Sequence, residues 1–208
     1  GSEIHGVSKG IEGAWLKQLE VRATAVNLAE FGARLPATSL VLELAASAQA
    51  SRVAGRLSVR NANAGSLDTG RLPLNALAAS IAGEGGGWRF PDLTLDLGGG
   101  GQYHGSAELQ QGRVVLALQT RNLNLRGIHA ALRSTSLAGS VNARNTGGNI
   151  EFGADLSQGR LRLDFDASLA SDTLTVKRLV ARSGSAALSA AGKLQLNAAR
   201  RFEGAGSL

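Results

Sequence analysis

The chain alternates between apolar and polar residues over long stretches, and this period of two constrains its fold more than any other feature. The clearest stretch runs from Arg160 to Leu169, where leucine, phenylalanine and alanine alternate with arginine, aspartate and serine. Alternation of this kind places one face of a β-strand in an apolar environment and the other face in water. A helix would scatter the same residues around its surface. The sequence therefore predicts an all-β protein whose sheet is apolar on one face.

Turn residues separate the alternating stretches at short intervals. Glycine, asparagine and aspartate between strands indicate antiparallel hairpins, and roughly a dozen strands are predicted. A glycine followed by alternating residues recurs along the chain, which indicates that one hairpin unit is reused. The turns are expected at residues 61–65, 83–87, 98–101, 111–112, 146–149, 158–159, 170–172 and 183–185.

Two segments depart from the period of two. Gly127–Leu132 places Ile128 and Leu132 four residues apart, so a short helix is predicted there. Residues 72–81 fit either a helical face that begins near Pro73 or an interrupted strand, and we assign them to a strand. Little helix is therefore available to cover a large sheet.

The composition limits how the apolar face can be covered. Aromatic residues make up only 4% of the chain, so leucine, valine and alanine must fill most of any core. Cysteine is absent, which excludes disulfides, thiolate zinc sites and thiol catalysis. The longest stretch without a charged residue is the twelve residues 72–83, which is shorter than the roughly 20 that a membrane-spanning helix needs.

An apolar sheet face must be buried against something, and three arrangements are open. The pattern alone slightly favours a sandwich or a small closed barrel, in which bulky residues of facing strands interlock. The third arrangement is a sheet that curls into a groove whose apolar lining is covered by a ligand. Alanine and glycine lie among the leucine and valine of the apolar positions, and such small residues suit a groove.

Three blocks of sequence carry a family resemblance. The first runs from Asn61 to Leu74, the second covers residues 121–125 and 132–139, and the third covers residues 201–208. In this order they resemble the AsmA-like family of bridge-type lipid transfer proteins, and within it the TamB branch. The resemblance covers most of residues 53–208. It implies an elongated, curled antiparallel sheet that forms an open groove with an apolar lining.

The same resemblance implies a function and a location. Proteins of this family are anchored in the inner membrane of Gram-negative bacteria and extend through the periplasm, where the groove carries phospholipid toward the outer membrane. A role in outer-membrane protein assembly and an Omp85-class partner, TamA, are implied for the whole protein, although not through this segment. Residues 1–2 are interpreted as a cloning remnant, and residues 3–208 as a segment of a continuous groove from a larger protein. No cofactor and no metal are expected.

The apolar positions of the clearest strands are the predicted lining of the groove, where they would contact acyl chains. A charge placed among them, as in Leu163→Asp, is predicted to block lipid passage, because a charge in hydrocarbon carries a large desolvation cost. The predicted lining residues are Leu40, Leu42, Leu44, Leu57, Val59, Leu93, Leu95, Val114, Leu116, Leu118, Ile150, Phe152, Leu161, Leu163, Phe165, Leu174, Val176, Leu194 and Leu196.

The polar residues do not indicate catalysis, and the chain is not expected to be an enzyme. Asp164 and Asp166 could be a hydrolytic carboxylate pair, but nearby arginines favour solvated ion pairs on the polar face. The glycine run 98–101 lacks the lysine and the helix of a phosphate loop and is expected to be a flexible turn. Three histidines lie far apart in sequence without metal-binding spacing, namely His5, His104 and His129.

The charge distribution bears on possible partners. The net charge of +6 comes mainly from dispersed arginines that do not alternate with aromatic residues, which argues against nucleic acid. We interpret these arginines as solvated surface cations, with attraction to anionic lipid as the alternative. The rival function is a structural or interaction module that offers a sheet edge to an unfolded outer-membrane protein. A carbohydrate-binding protein is a weaker rival, because few aromatic residues are present to stack on sugars.

Overall fold

The computed structural model describes residues 3–11, 14–32, 35–146, 148–195 and 202–207. In this part of the chain, fourteen strands form one antiparallel sheet in which the order in space follows the order in sequence. The strands are β1 (Glu3–Ile11), β2 (Ala14–Val26), β3 (Leu40–Gln49), β4 (Arg52–Asn61), β5 (Ala76–Glu84), β6 (Gly87–Asp96), β7 (Gln102–Gln110), β8 (Arg113–Leu123), β9 (Leu137–Thr146), β10 (Asn149–Gln158), β11 (Leu161–Ala170), β12 (Thr173–Ser183), β13 (Ala186–Gln195) and β14 (Phe202–Ser207).

The sheet is curled and open. Strands β1 and β14 lie at opposite ends of the strand order and do not pair with each other in the described structure. With about 4.8 Å between neighbouring strands, fourteen strands extend about 60 Å along the sheet. The predicted elongated, curled, all-β fold is confirmed. The predicted number of strands was slightly too low.

Two kinds of connection join the strands. On one side of the sheet, which we call the hairpin side, two-residue turns join the strands at residues 50–51, 85–86, 111–112 and 171–172. The first residue of each turn has a positive φ, as the primed turns of tight hairpins require. On the opposite side, which we call the loop side, the connections from β2 to β9 are long: 27–39, 62–75, 97–101 and 124–136.

Bulges interrupt the pairing and bend the strands. In each of four bulges, two inward residues are three positions apart instead of two, because an extra residue is inserted between them. The inserted residue increases the local twist and bends the strand, which helps to curl the sheet. The four pairs that flank the extra residues are Ala23 and Val26, Phe90 and Leu93, Thr120 and Leu123, and Val176 and Leu179.

Helical structure is limited to short pieces. In the described residues the one α-helix, α1 (Leu125–Ile128), begins two residues before the segment in which a helix was predicted. The side chain of Asn124 accepts a hydrogen bond from the Arg126 N–H and caps this helix at its start. Short 3-10 turns form at Leu28–Glu30, Leu67–Thr69 and Gly98–Gly100.

Two further expectations concern the loop side. The strand assignment of residues 72–81 is confirmed from Ala76 onward, whereas residues 72–75 belong to the preceding loop. The glycine run 98–101 was expected to be a flexible turn, but it forms a 3-10 turn in which Gly100 is buried. None of the helices in the described residues has the length and apolar character needed to cross a lipid bilayer.

Candidate functional site: the inner face of the sheet

The pairing register joins the apolar residues of successive strands into continuous rows on one face, which we call the inner face. One such row crosses every strand from β2 to β13 without a charged residue. Rows of this kind form because paired residues of neighbouring strands always point to the same side of a sheet. The row consists of Ala23, Leu42, Val59, Leu77, Leu95, Tyr103, Thr120, Gly139, Leu156, Leu163, Ala181 and Leu188.

Every predicted lining residue in the described part of the chain lies on the inner face. Leu44 pairs with Leu57, for example, and Phe152 pairs with Ala167. Leu196 lies outside the described residues. The structure thus brings these side chains together on one surface, and their contact with acyl chains stays a prediction.

The inner face is buried near the loop side. Leu137 and Leu156 are only 1% and 3% exposed, and Leu40, Leu93 and Leu123 are also buried. Each of these residues lies within four positions of a strand end on the loop side. Leu163, a predicted lining residue, packs against this buried cluster. A charge at Leu163 would therefore destabilise this cluster, and the predicted Leu163→Asp test cannot separate lipid passage from folding.

Hydrogen bonds between the long loops hold them together along the loop side. The Ala37 N–H donates to the Gly70 carbonyl oxygen at 3.0 Å, which joins the first two loops. The Ala130 N–H donates to the Asp68 carboxylate at 2.9 Å, which joins the second loop to the fourth. This backbone hydrogen bond is the main reason that the pKa of Asp68 lies below its usual value. The loops thus form one connected border.

A close glycine contact completes this border. Gly127 in α1 lies directly against Gly99 in the 3-10 turn, and a side chain at Gly127 would overlap the Gly99 carbonyl group. The Asn124 N–H also donates to the Gly100 carbonyl oxygen at 3.1 Å. The Gly100 and Gly101 N–H groups donate to the carbonyl oxygens three residues earlier in the chain. Because these N–H groups are already used, the glycine run is a packing element of the loop side and not an anion-binding loop.

The inner face is open near the hairpin side. Trp88, Val114 and Ile150 are each the second residue of a strand that begins on this side, and each is 39–40% exposed. Exposed apolar residues of this size on one face of a sheet mark a surface that another molecule can cover. The two sides of the same face therefore differ, since one is covered by loops and the other is accessible.

A cavity lies on the accessible part of the inner face between β2 and β6. Its volume is about 720 Å³, which is within the range of sites that bind small molecules. Most of the side chains around it are apolar, including those of Leu19, Ala48, Val53, Ile81, Trp88 and Phe90. A smaller void of about 340 Å³ lies between β12 and β14, where inward residues such as Gly192 and Gly206 are small. The structure therefore contains space on the inner face as well as a packed core.

Sequence reasoning missed the aromatic residues of this cavity. Counting back in twos from Leu93 places Trp88 and Phe90 on the outer face, but the bulge after Phe90 returns both to the inner face. The residues at the bulge, Pro91 and Asp92, are the available signal, because proline cannot donate a hydrogen bond within a ladder. Val53 and Leu19 were visible as alternating positions, although they were not among the predicted lining residues.

The outer face is polar and carries cross-strand ion pairs. The Asp164 carboxylate forms a solvated ion pair with Arg178 of β12 at 3.2 Å. This arginine is on the neighbouring strand and is not one of those close to Asp164 in sequence. Glu151 pairs with Arg144 and with Lys177, and these cations lower the pKa of its carboxyl group. The predicted solvated role of Asp164 is confirmed, and the polar face supports the sheet electrostatically.

The described histidine and tyrosine side chains lie in separate surroundings. No group of three histidine, aspartate or glutamate side chains in the described residues is close enough together to hold a metal ion. His104 is exposed on the outer face, and the Nδ1 atom of His129, at the end of α1, accepts from the Ala131 N–H. Burial raises the pKa of Tyr103 to about 12, so its hydroxyl is neutral at physiological pH.

Comparisons of the chain with protein-family models, with curated proteins and with solved structures found no match. The resemblance to the AsmA-like family therefore rests on the sequence blocks given above. What the structure adds is the geometry of the inner face.

Proposed function

We propose that the chain is a segment of a periplasmic lipid-conducting protein whose inner face binds the acyl chains of phospholipid. The observation that carries the proposal is the apolar inner face, whose residues near the hairpin side, such as Trp88, Val114 and Ile150, are accessible. Acyl chains would cover these side chains and remove them from water, which is favourable by about 25 cal/mol for each Å² of apolar area. Head groups would remain in water along the open side.

The dimensions of the inner face support a path along the sheet. Its rows run across the strands for about 60 Å, so several lipids could follow one another along the same surface. The apolar lining forms no hydrogen bonds with acyl chains. Because no such bond has to be broken when a lipid moves, its movement along the lining would be passive. The inner-membrane anchor, the periplasmic location and an Omp85-class partner of the whole protein belong to this proposal through the family resemblance.

The packed cluster near the loop side supports a second candidate, an interaction module for outer-membrane protein assembly. Leu137 and Leu156 are almost completely buried, as expected for a dry core that needs no ligand. The open ends of the sheet at β1 and β14 carry backbone groups that could pair with an extended segment of another protein. In this case the cavity between β2 and β6 would contain no lipid.

Site-specific photocrosslinking in living Gram-negative cells distinguishes the two candidates. A benzophenone amino acid at Val53 would face the cavity, whereas the same probe at the neighbouring Ala54 would face outward. We expect phospholipid adducts at Val53 and few at Ala54, identified by mass spectrometry of the purified protein. Both positions lie in β4 and differ only in the face of the sheet, so they are closely matched.

Two results would contradict lipid binding in the groove. Equal labelling at both positions would indicate non-specific contact with membranes. Absence of adducts at both, with each probe shown to react with a small apolar reagent, would favour the interaction module.

A further inference from the structure

Lys17 is the one charged residue on the inner face of β2 to β14 in the described part of the chain. It lies two positions before Leu19 on the same strand, and Leu19 pairs with the inward Ala46. All other inward positions of these strands that the structure describes are apolar residues, glycine or uncharged polar residues. A cation on an otherwise uncharged apolar face calls for a specific explanation.

The position of Lys17 relates it to the cavity between β2 and β6. Lys17 lies at the start of β2 on the hairpin side and lines this cavity together with Leu19, Val53 and Trp88. Its side chain is exposed, and its ammonium group takes part in none of the ion pairs found among the described residues. The cation is therefore at the open mouth of an apolar cavity and has no ionic partner within the described structure.

We infer that the cavity between β2 and β6 is a binding site for an amphiphile with an anionic head group, and that Lys17 binds this head group. The acyl chain would lie over Val53, Ile81 and Phe90, and the head group would remain in water at the mouth. The inference rests on the proposed function and adds to it a residue that selects lipids by charge.

Physical chemistry supports a site with an apolar part for the acyl chain and a cationic part for the head group. A lysine side chain places its methylene groups along apolar surface and its ammonium group in water, which matches the border between an acyl chain and a phosphate. Trp88, which also lines the cavity, is an amphipathic ring of the kind found at membrane–water borders. An anionic group at the mouth would supply the ionic partner that Lys17 lacks, and a zwitterionic head group would bind it less strongly.

Quenching of Trp88 fluorescence by brominated lysophospholipids tests the inference in the full chain. The probes are lysophosphatidylglycerol and lysophosphatidylcholine with the same brominated acyl chain, which differ in net charge. The protein has two tryptophans, so Trp88→Phe identifies the part of the signal that comes from the cavity. We expect both probes to quench Trp88, with tighter binding of the anionic one.

The variant Lys17→Gln should reduce affinity for the anionic probe about fivefold, the size of a favourable exposed ion pair. Its affinity for the zwitterionic probe should fall by a smaller factor, and added salt should reduce the difference between the probes. Lys193→Gln is the matched control, because this lysine is exposed on the outer face of β13 and the change in charge is the same. It should leave both affinities unchanged.

The possible results separate the inference from the proposed function. No quenching of Trp88 by either probe would overturn the proposed function and this site together. Quenching that Lys17→Gln does not alter, or that it weakens equally for both probes, would leave the groove in place and overturn the role of Lys17. Equal effects of Lys17→Gln and Lys193→Gln would assign the preference to net charge and would also overturn it.

Discussion

The loop side and the hairpin side of the sheet are built from the same strands, yet they differ in cover. On the loop side, four long connections contact one another and bury large leucines such as Leu137. On the hairpin side, tight two-residue turns leave Trp88 and Val114 partly exposed. From β2 to β9, the long connections place residues such as Leu97 and Ile128 against the core, whereas the tight turns leave the hairpin side accessible.

The largest expected difference between the two sides is in stability. Leu137→Ala should lower the free energy of unfolding by about 3–4 kcal/mol, because it leaves a cavity in a fully packed position. Val114→Ala should lower it by about 1 kcal/mol or less, because this side chain is already 40% exposed. Urea unfolding monitored by circular dichroism measures both. Similar losses would show that the two sides do not differ in packing.

A smaller effect is expected from the glycine contact within the loop border. Gly127→Ala should destabilise the protein by about 2 kcal/mol, because the new methyl group would overlap the Gly99 carbonyl group and force the loops apart. Gly99→Ala is the control, since its methyl group would lie 3.5 Å from the Gly127 Cα, an ordinary contact. Thermal unfolding of both variants gives the comparison. A loss at Gly99 equal to that at Gly127 would argue against close contact as the cause.

On the hairpin side, the outer face contains an ion-pair network whose contribution depends on pH. Arg144 and then Lys177 lower the pKa of Glu151, so its stabilising effect is present above the ordinary value of 4.5. The effect is lost as the pH falls through the lower folded pKa. Glu151→Gln should therefore reduce the urea midpoint slightly at pH 7, and this reduction should become smaller as the pH falls below 4.5. Added salt should reduce the difference at pH 7, and a difference that stays the same as the pH falls would exclude an ionic origin.

The smallest expected effect is local and concerns the loop side. The hydrogen bond from Ala130 lowers the pKa of Asp68 below its ordinary value of 3.8. The bond is therefore intact above this value and weakens as the pH falls through the folded pKa. The amide resonance of Ala130 should shift in NMR spectra with a midpoint below pH 3.8, whereas Asp68→Asn should remove the titration. An unchanged titration in the variant would assign it to another group.

Much of the fold could be predicted from the sequence because period-two alternation and tight turns are local signals. Residues 160–169 determine their own strand, and Gln111-Gly112 determines a hairpin without information from elsewhere. The inner face followed from the same alternation. These predictions needed only the geometry of one strand and its neighbour.

The features that were not predicted depend on contacts between distant residues. The bulge that turns Trp88 inward is defined by the pairing of β6 with its neighbours β5 and β7. The contact between Gly99 and Gly127 joins loops that are separated in sequence by two strands. Lys17 differs from the other lysines because it is the one charged residue among the described inward positions of β2 to β14. This difference is visible only when the inward positions of all these strands are known. Prediction of the site therefore depends on the three-dimensional structure more than prediction of the fold does.

The strict agreement between spatial order and sequence order has a consequence for how the sheet can form and change in size. Each strand pairs only with its neighbours in sequence, so folding can begin at any hairpin and spread in both directions without waiting for distant segments to meet. Adding or removing one complete hairpin would preserve both sides and would lengthen or shorten the sheet by about 10 Å. Genetic duplication of such a unit is thus a simple way to adjust the distance that the groove spans.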